Sequence, residues 1–548
     1  MAARRVRSVI THIPIRALLR RSSPIAISRS LHSNPPRLQA AEAVATRPRL
    51  DGSNYEAAQD SGSFGADLYN QLSGRNHSPR TRSAPSAAQI GMQTEDVHDF
   101  VAKEISAILK STYAPVATVE PDHYWQKIAP WQNVSRQEFN TQKFQNMKGI
   151  KSKEKLVKFF GDVMPKHIKP HPRFEHVQTT EDFILDFMEG LAKAPMPIRL
   201  TPQVLSVIDW NDPLGDPIRR QFIPMNSELL PDHPLLTLDS LHESQDSPVK
   251  GLVHRYPDKV LFLSLDVCPV YCRYCTRSYG IGSDTEIVTK ESIKPNLSRW
   301  EQCFEYISKT PAVTDVVVSG GDTYILTPDQ IRLIGDRLLA IPHIKRIRFA
   351  TKGLAVSPSR ILDPADRWVD EIIRLSWKSR LTGKTIAIHT HFNHPNEFTW
   401  ITRLACQKLF ENAVDVRNQS VLLRGVNDDV PTMSKLIREL ADNNIQPYYV
   451  YQHDMVKGVE DLRTPLQTIL DLECQIRGTI AGFRMPTFVV DLPEGGGKRL
   501  AASYETYDRV TGRSTFIAPA VTGRDKENKI YEYYDPIASM EQSNPSSI

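Results

Sequence analysis

Residues 260–277 read VLFLSLDVCPVYCRYCTR, an apolar run of strand length that leads directly into three cysteines. Further apolar, β-branched runs of about four to eight residues follow along the chain, separated by longer stretches with helical spacing. Alternating strands and helices predict a parallel sheet with helices outside it. The predicted strands cover residues 260–265, 315–319, 346–350, 385–390, 420–423, 448–451 and 487–491.

These runs place the chain in the α/β class. The strands are almost continuously apolar, as expected for burial on both faces, and the region is long enough for most of a barrel. We predict a partial (β/α)6 barrel over residues 255–500. It is preceded by a helical region at 96–254, with amphipathic stretches at 95–111 and 154–164, and followed by a short C-terminal extension at 501–548.

The first 95 residues predict no globular core. Residues 1–41 contain eight arginines and no acidic residue, and this composition is typical of a mitochondrial presequence. A basic tail without a targeting role is the alternative. Residues 42–95 are rich in Ser, Gly, Ala, Asn and Gln, which predicts a disordered linker. We therefore expect a protein of the mitochondrial matrix.

Charge, hydropathy and cysteine spacing bear on nucleic-acid binding, membrane insertion and disulfide formation. The formal charge of +5 comes from the arginines of the first 41 residues, so the rest of the chain gives little support for nucleic-acid binding. No run reaches the roughly 18 apolar residues that cross a bilayer, and we expect no membrane span. Three of the six cysteines lie within residues 268–275. This spacing indicates a ligand cluster in a reducing compartment rather than a disulfide framework.

Cys268, Cys272 and Cys275 form a CxxxCxxC loop immediately after the first predicted strand. A [4Fe-4S] cluster needs four ligands, which are usually thiolates, so three thiolates leave one iron for another molecule. This is the signature of radical S-adenosylmethionine (SAM) enzymes, in which that iron binds the amine and carboxylate of SAM. A zinc site, which prefers four closed ligands, and buried structural thiols are the alternatives.

Two further segments carry candidate chemistry at strand ends. Ser319, Gly320, Gly321 and Asp322 end the second predicted strand, where glycines let a ligand approach the backbone; in radical SAM proteins such a segment contacts the methionine amine. An ordinary Gly-Gly-Asp turn is the alternative. Lys498 follows three glycines after the last strand. An aldehyde cofactor such as pyridoxal 5′-phosphate (PLP) needs one lysine for its Schiff base, and a solvated loop lysine is the alternative.

With these motifs, residues from about 197 to 500 resemble the lysine 2,3-aminomutase family. The matching segments include DWNDPLGDPIRRQFIP, HRYPDKVLFL, the cysteine loop with CTR, SGGD, THFNHPNE, NQSVLLRGVND, QPYYVYQHD and PTFVVDLPEGGGK. The resemblance implies a [4Fe-4S] cluster, SAM and PLP as cofactors. It also implies that an amino group of L-lysine moves from C2 to C3 to give β-lysine. The alternatives are an aminomutase for another amino acid or a protein lysine, and a non-catalytic iron–sulfur protein.

The resemblance assigns four residues to PLP. Lys498 would form the Schiff base, and Arg255, Tyr256 and Lys259 would bind the phosphate. A guanidinium and a phenol suit that task through charge-assisted hydrogen bonds, although the family usually has arginine in place of Lys259. A surface turn before the first strand is the alternative for Arg255 and Tyr256.

The resemblance assigns five further residues to SAM and to the substrate. His391 and Gln419 would lie at the SAM site. Arg277 would bind the substrate carboxylate through its planar fork. Asp454 and Asp491 would bind the distant ε-ammonium group, and two carboxylates for one ammonium favour lysine over glutamate as the substrate.

The chain departs from the family pattern in regions that concern assembly. Bacterial members carry a C-terminal zinc-binding cysteine group at a subunit interface, whereas here no cysteine follows Cys474 and Asp429 stands where one ligand is expected. Residues 351–354 and an insertion at 376–385 also differ. The implied partners are an amino-acid substrate and an electron donor such as a ferredoxin or flavodoxin-like protein. Whether the chain forms a homo-oligomer stays open.

Overall fold

A nine-stranded sheet lies at the centre of the computed structural model, which describes residues 122–519, 521, 526 and 528–538. The strands follow one another in chain order across the sheet. They are Leu252–Tyr256 (β1), Lys259–Leu265 (β2), Asp315–Gly320 (β3), Arg346–Ala350 (β4), Thr385–Thr390 (β5), Asp415–Val421 (β6), Gln446–Tyr451 (β7), Thr487–Leu492 (β8) and Gly497–Leu500 (β9). Strands β2 to β8 are parallel, and β1 and β9 pair antiparallel at the two edges.

The seven parallel strands are the seven predicted from the sequence, so the α/β barrel class is confirmed, with seven parallel strands rather than six. One predicted strand is displaced: residues 420–423 were expected, whereas β6 covers Asp415–Val421. Strand β6 carries polar side chains along its length, and an apolar-run criterion overlooks such a strand.

Helices with a buried apolar stripe connect the strands, and each predicted helical stretch between strands contains one. The helices are Arg136–Phe139 (α1), Gln142–Met147 (α2), Lys153–Val163 (α3), Thr180–Ala192 (α4), Pro202–Val207 (α5), Pro217–Phe222 (α6), Leu297–Ser308 (α7), Pro328–Ala340 (α8), Gly353–Val356 (α9), Ser359–Leu362 (α10), Trp368–Leu381 (α11), Trp400–Glu411 (α12), Val430–Asp442 (α13) and Leu466–Ile476 (α14). Helix α8 shows the local logic. It begins at a capping box of Thr327 and Gln330, with proline in its first turn. The box supplies acceptors for backbone N–H groups that have no partner within the helix, and proline has no N–H that needs one.

None of the described helices combines the length and the apolar character that crossing a bilayer requires. The predicted helix at 154–164 is found as α3. Residues 1–121, and with them the predicted presequence, linker and helical stretch at 95–111, lie outside the described residues. The domain boundaries stay predictions.

Aromatic side chains attach the N-terminal helices to the barrel. Trp125 is fully buried and stacks on Phe139, with ring centroids 4.4 Å apart. Its indole also lies 6.3 Å from the ring of Trp400, which begins α12. Burying a large aromatic side chain contributes about 1.5–3 kcal/mol. The helices that precede the barrel are therefore packed on it, and α6 reaches the end where the cysteines lie.

The C-terminal extension forms a small antiparallel sheet of Thr506–Asp508 (β10), Arg513–Ile517 (β11) and Ile530–Tyr534 (β12). Tyr533 Oη donates a hydrogen bond to the carbonyl of His453 at 2.9 Å and accepts one from Gln452 Nε2 at 3.0 Å. These partners follow β7. The extension is thus folded against the end of the barrel that carries the candidate site.

Candidate active site

The carboxyl ends of the parallel strands open at one end of the barrel, where chemistry gathers in such folds. Most of the sequence-predicted residues lie on or just after seven of the nine strands, β2, β3 and β5 to β9. They are Cys268, Cys272 and Cys275 after β2; Ser319, Gly320, Gly321 and Asp322 at β3; His391 after β5; Gln419 on β6; Asp454 after β7; Asp491 on β8; and Lys498 on β9.

Three thiols are brought together in the cysteine loop, residues 266–277. Burial raises the pKa of Cys268 well above its ordinary value and the pKa of Cys272 to about 12, and nearby thiols add to both effects. Such thiols stay protonated until a metal takes the proton's place. Within the described residues, no three His, Cys, Asp or Glu side chains are arranged to hold a single metal ion. A thiol-only donor set of three is the kind that iron–sulfur clusters use, so the loop fits such a cluster.

A buried network of charges fixes the cysteine loop to α6. Arg273 lies in the loop between Cys272 and Cys275, and its Nη2 donates to both carboxylate oxygens of Asp461, at 3.0 and 3.1 Å. Its Nη1 donates to the backbone carbonyl of Arg220 in α6 at 3.2 Å. Arg219 and Arg220 of α6 both bind Glu228, at 2.6 and 2.9 Å. Burial alone would raise the pKa of Glu228, but the two arginines outweigh it and lower that pKa to about 2. Sequence reasoning missed this network.

The glycines of the SGGD segment press it against the start of the cysteine loop. Gly320 has φ +110°, and a Cβ there would lie 2.3 Å from the carbonyl oxygen of Leu265. A Cβ on Gly321 would lie 2.4 Å from the carbonyl oxygen of Val267. The observed close approach is therefore between two backbone segments. Ser319, which precedes the glycines, is buried, and a SAM contact for this segment stays a prediction.

Asp322 is a buried carboxylate that orders the neighbouring loops. It accepts hydrogen bonds from the backbone N–H of Tyr324 at 2.8 Å and of Lys352 at 2.7 Å. Lys352 Nζ in turn donates to Glu397 Oε1 at 2.7 Å and to the carbonyl of His391 at 2.9 Å. In this structure Asp322 therefore holds protein groups, and Lys352 supplies a buried cation close to the cysteines.

His391 and Gln419 connect the cysteine loop with the lysine side of the site. His391 Nε2 lies 2.9 Å from the hydroxyl of Tyr274, and its Nδ1 lies 2.5 Å from the carbonyl oxygen of Gln419. Burial lowers the pKa of His391 to about 3, so its ring is neutral. Gln419 Oε1 accepts from the hydroxyl of Tyr451 at 2.7 Å. The Tyr451 ring lies 5.6 Å from Lys498 Nζ.

Lys498 is held at both its backbone and its amine. Its N–H donates to the hydroxyl of Tyr256 at 2.8 Å, and its Nζ lies 2.5 Å from Asp491 Oδ2. Burial favours the neutral amine, but Asp491 and the phenols of Tyr451 and Tyr256 outweigh it and raise the pKa of Lys498. Lys259 Nζ lies 3.9 Å from the Tyr256 ring centroid. Lys498, Tyr256 and Lys259 are therefore neighbours, and their role in binding PLP stays a prediction.

Arg255 lies beside the same carboxylate. Its Nη1 is 4.0 Å from Asp491 Oδ1, and its Nε donates to Asp246 at 2.8 Å. Arg255 and Lys259 are thus two cations beside Tyr256, the type of donor that binds a phosphate; Nε and Nη2 of Arg255 already donate to Asp246 and to the carbonyl of Leu241. Sequence reasoning missed Asp246 and its second partner, Lys526, whose Nζ lies 2.7 and 2.9 Å from the two oxygens of Asp246. Neither residue belongs to a sequence motif that would identify it.

Asp454 and Asp491 form a pair of buried carboxylates. Asp454 Oδ2 accepts from the hydroxyl of Thr276 at 2.7 Å. In both carboxylates Oδ1 is buried and has no hydrogen-bond partner among the described residues. Burial and the charge of Asp491 raise the pKa of Asp454 to about 7. Two buried carboxylate oxygens without a hydrogen-bond donor suit a cationic group of a ligand.

Arg277 is paired with a carboxylate of the protein itself. Its Nε and Nη2 donate to Glu243 at 2.7 and 2.6 Å, and the hydroxyl of Tyr279 donates to the same group at 3.0 Å. Glu243 is another residue that the sequence did not single out. A substrate carboxylate at Arg277 would therefore share the guanidinium with Glu243 or replace it.

Comparison with known proteins gives clear relatives, although no family model matches the chain. The L-lysine 2,3-aminomutase of Clostridium subterminale is 41% identical over 312 residues, which cover 57% of this chain and 70% of the relative. That of Acetoanaerobium sticklandii is 36% identical over 370 residues, covering 67% and 79%. The glutamate 2,3-aminomutase of Clostridioides difficile is 34% identical over 299 residues, covering 55% and 66%.

Among solved structures, the chain is similar to Streptococcus suis SuiB bound to precursor peptide SuiA, with a TM-score of 0.30 and 13% identity. The match covers 42% of this chain and 47% of that one. A likeness of this strength carries no argument about function.

The relatives correct one expectation. They come from bacteria and an archaeon, and such relatives do not support a mitochondrial protein with a transit peptide. The mitochondrial interpretation of residues 1–41 is therefore wrong by this comparison. Arginine-rich, acid-poor composition is a weak signal, because a basic tail of any purpose has it too.

Proposed function

Because the chain belongs to the lysine 2,3-aminomutase family, we propose that it converts L-lysine into β-lysine by moving the amino group from C2 to C3. It is an isomerase of the 2,3-aminomutase type that acts on an amino acid and uses a [4Fe-4S] cluster, SAM and PLP. Relatives act on lysine or on glutamate by their names, so the choice of lysine must come from the site.

The paired carboxylates carry the choice of lysine. Asp454 and Asp491 are buried, and the charge of Asp491 helps to raise the pKa of Asp454. Each has one oxygen without a hydrogen-bond partner among the described residues. The ε-ammonium group of lysine would satisfy both oxygens. A glutamate side chain would place a third negative charge there, at a cost of roughly 4 kcal/mol for each like charge 4 Å away in a partly screened site.

The residues near Lys498 fit PLP. Lys498 supplies the amine that an aldehyde cofactor requires, and Arg255, Tyr256 and Lys259 would hold the phosphate. When bound, the cluster and SAM supply a hydrogen-abstracting radical, and PLP supplies an electrophilic carbon for the amino group and a π-system that spreads an unpaired electron.

The protein's own groups prepare this chemistry. Asp491 keeps Lys498 charged and is also the nearest carboxylate to receive its proton. Tyr256 fixes the backbone at Lys498 through a 2.8 Å hydrogen bond. The neutral ring of His391 and the side chain of Gln419 lie between the cysteine loop and Lys498. Arg277, held by Glu243, would bind the substrate carboxylate.

Anaerobic reconstitution tests the proposal. The full chain would receive iron, sulfide, PLP, SAM and a chemical reductant, and then L-lysine, L-glutamate or a lysine-containing peptide in parallel. We expect β-lysine from free lysine. A Cys272→Ala variant should lose the cluster, whereas Lys498→Ala should keep the cluster and lose the imine absorbance. A product from glutamate or from the peptide alone would refute the choice of lysine.

The reductant and the assembly complete the proposal. We take the physiological electron donor to be a ferredoxin or flavodoxin-like protein. Replacing the chemical reductant with such proteins would test this. Mass measurement of the reconstituted chain in solution would show whether it is a homo-oligomer.

A further inference from the structure

The glycines that precede Lys498 are covered by the C-terminal extension. A Cβ on Gly496 would lie 2.7 Å from Leu492 Cβ and 2.8 Å from ring carbons of Tyr531. Gly497 has φ +82°, and a Cβ there would lie 2.8 Å from Val521 Cγ1. Because these contacts are closer than any side chain tolerates, glycine is needed here for packing under the extension. The loop is thus covered rather than free.

A buried lysine of the extension binds the same loop. Lys526 Nζ lies 3.3 Å from the carbonyl oxygen of Gly495, and a Cβ on Gly495 would lie 3.0 Å from that nitrogen. The same Nζ donates to Asp246 Oδ1 at 2.7 Å and Oδ2 at 2.9 Å. Lys526 is only 5% exposed. A buried ammonium with three acceptors is tightly held, and loss of Asp246 would leave its charge unpaired.

Alternating charges run from this lysine to Lys498. Lys526 binds Asp246, Asp246 binds Arg255 at 2.8 Å, Arg255 lies 4.0 Å from Asp491, and Asp491 binds Lys498 at 2.5 Å. Both ends of the chain of charges therefore touch the segment that carries Lys498. One end holds the backbone at Gly495 and the other holds the amine.

We propose that the C-terminal extension is a clamp that sets the position of Lys498 for PLP, and that Lys526 is its main positioning residue. The inference rests on the proposed function, because PLP is the partner that Lys498 must meet. Three consecutive glycines have more backbone freedom than any other tripeptide. The clamp removes that freedom before the cofactor arrives, which strengthens binding by preorganisation.

Substitution of Lys526 tests the clamp in the full, anaerobically reconstituted chain. Lys526→Met removes the charge, Lys526→Arg keeps it, and Lys529→Met is a matched control. Lys529 lies in the same segment, but its pair with Glu494 at 3.2 Å is exposed, and exposed pairs contribute little. PLP binding would be titrated by imine absorbance, and borohydride-reduced protein would be digested to locate phosphopyridoxyl-lysine at residue 498.

We expect Lys526→Met to weaken PLP binding by about tenfold or more, the effect of losing one good interaction. Lys526→Arg should recover most of it, and Lys529→Met should match the wild type. Iron content should be the same in all four proteins. Hydrogen–deuterium exchange of the peptide 492–500, measured without PLP, should rise in Lys526→Met only.

A second variant covers the case in which Lys526→Met does not fold. Tyr531→Leu removes the ring that covers Gly496 and leaves no buried charge unpaired, and it should also raise exchange in the peptide 492–500. Wild-type PLP affinity and unchanged exchange in the folded variants would overturn the clamp. A wild-type chain without label at Lys498 would instead contradict the proposed function, and the exchange measurement would still decide whether the extension holds the loop.

Discussion

Lys498 Nζ lies 2.5 Å from Asp491 Oδ2, so the amine proposed for PLP is bound to one of the two carboxylates proposed for the substrate ammonium. The pairing gives Asp491 two successive partners. While Lys498 is a free ammonium, Asp491 balances its charge; once Lys498 is engaged with PLP, Asp491 and Asp454 are left to a cation of the substrate. Under the proposed function, binding of the cofactor would thus prepare the substrate site.

Asp491→Asn should separate these two tasks. Asp491 raises the pKa of Lys498, and only the neutral amine attacks an aldehyde, so the wild type needs a higher pH to form the imine. Removing the carboxylate lowers that pKa and shifts imine formation to lower pH. It also removes one acceptor for the ε-ammonium group, which should raise KM for lysine by about tenfold or more.

Imine absorbance against pH, with and without lysine, measures both effects of Asp491→Asn. Asp336→Asn is a suitable control because Asp336 lies on α8, outside the sheet, and pairs with Arg374 and Lys378 of α11. An unshifted pH profile in Asp491→Asn would show that this carboxylate does not control the amine.

Lysine binding should depend on the protonation of Asp454. Burial and Asp491 raise the pKa of Asp454 from 3.8 to about 7, so below this pH the carboxyl is protonated and binds an ammonium poorly. We expect KM for lysine to fall as pH rises through about 7. In Asp454→Asn that dependence should disappear and KM should stay high. Steady-state kinetics across this range provide the test, and a pH-independent wild-type KM would contradict it.

How far the sequence predicted the barrel depended on burial. Strands β2, β3, β5 and β8 are mostly buried and appear as apolar runs, whereas β1 and β9 lie at the edges, carry charged residues and were missed. Strand β6 was displaced because Asn418 and Gln419 lie on it and bind other site residues. The polar side chains that the site uses therefore made this strand hard to identify from an apolar pattern.

Site residues could be predicted from the sequence where they belong to a short motif. Residues in short motifs, such as Cys268 and Lys498, could be singled out from the sequence, and their roles stay predictions. Residues that act through distant partners could not be singled out: Arg273 and Asp461 are 188 positions apart, and Lys526 and Asp246 are 280 apart. Such pairs leave no local pattern, and only the fold brings them together.

Arg273→Met should destabilise the protein and the cysteine loop together. The substitution leaves the buried carboxylate of Asp461 without its bidentate partner, and breaking a buried ion pair costs about 3–5 kcal/mol. Arg337→Met, which breaks an exposed pair with Glu301, should change stability little. Urea unfolding and iron content after reconstitution measure the two effects. Equal unfolding midpoints in the two variants would contradict the importance of the network.

Gly321→Ala should prevent the SGGD segment from packing on the cysteine loop. The new Cβ would lie 2.4 Å from the carbonyl oxygen and 2.6 Å from the nitrogen of Val267, just before Cys268, and backbone atoms cannot yield as a flexible side chain does. We expect reconstituted iron to fall by at least half while the fold largely persists, since overpacking costs about 1–3 kcal/mol.

Gly161→Ala provides the control for that change. Gly161 lies in α3, where a Cβ meets nothing within 4 Å, and alanine in a helix is more stable than glycine by roughly 0.5–1 kcal/mol. This variant should keep full iron content and unfold at slightly higher urea concentration. If Gly321→Ala assembled the cluster as well as Gly161→Ala does, the contact between SGGD and Val267 would not be what positions Cys268, and the charge network around Arg273 would have to hold the loop by itself.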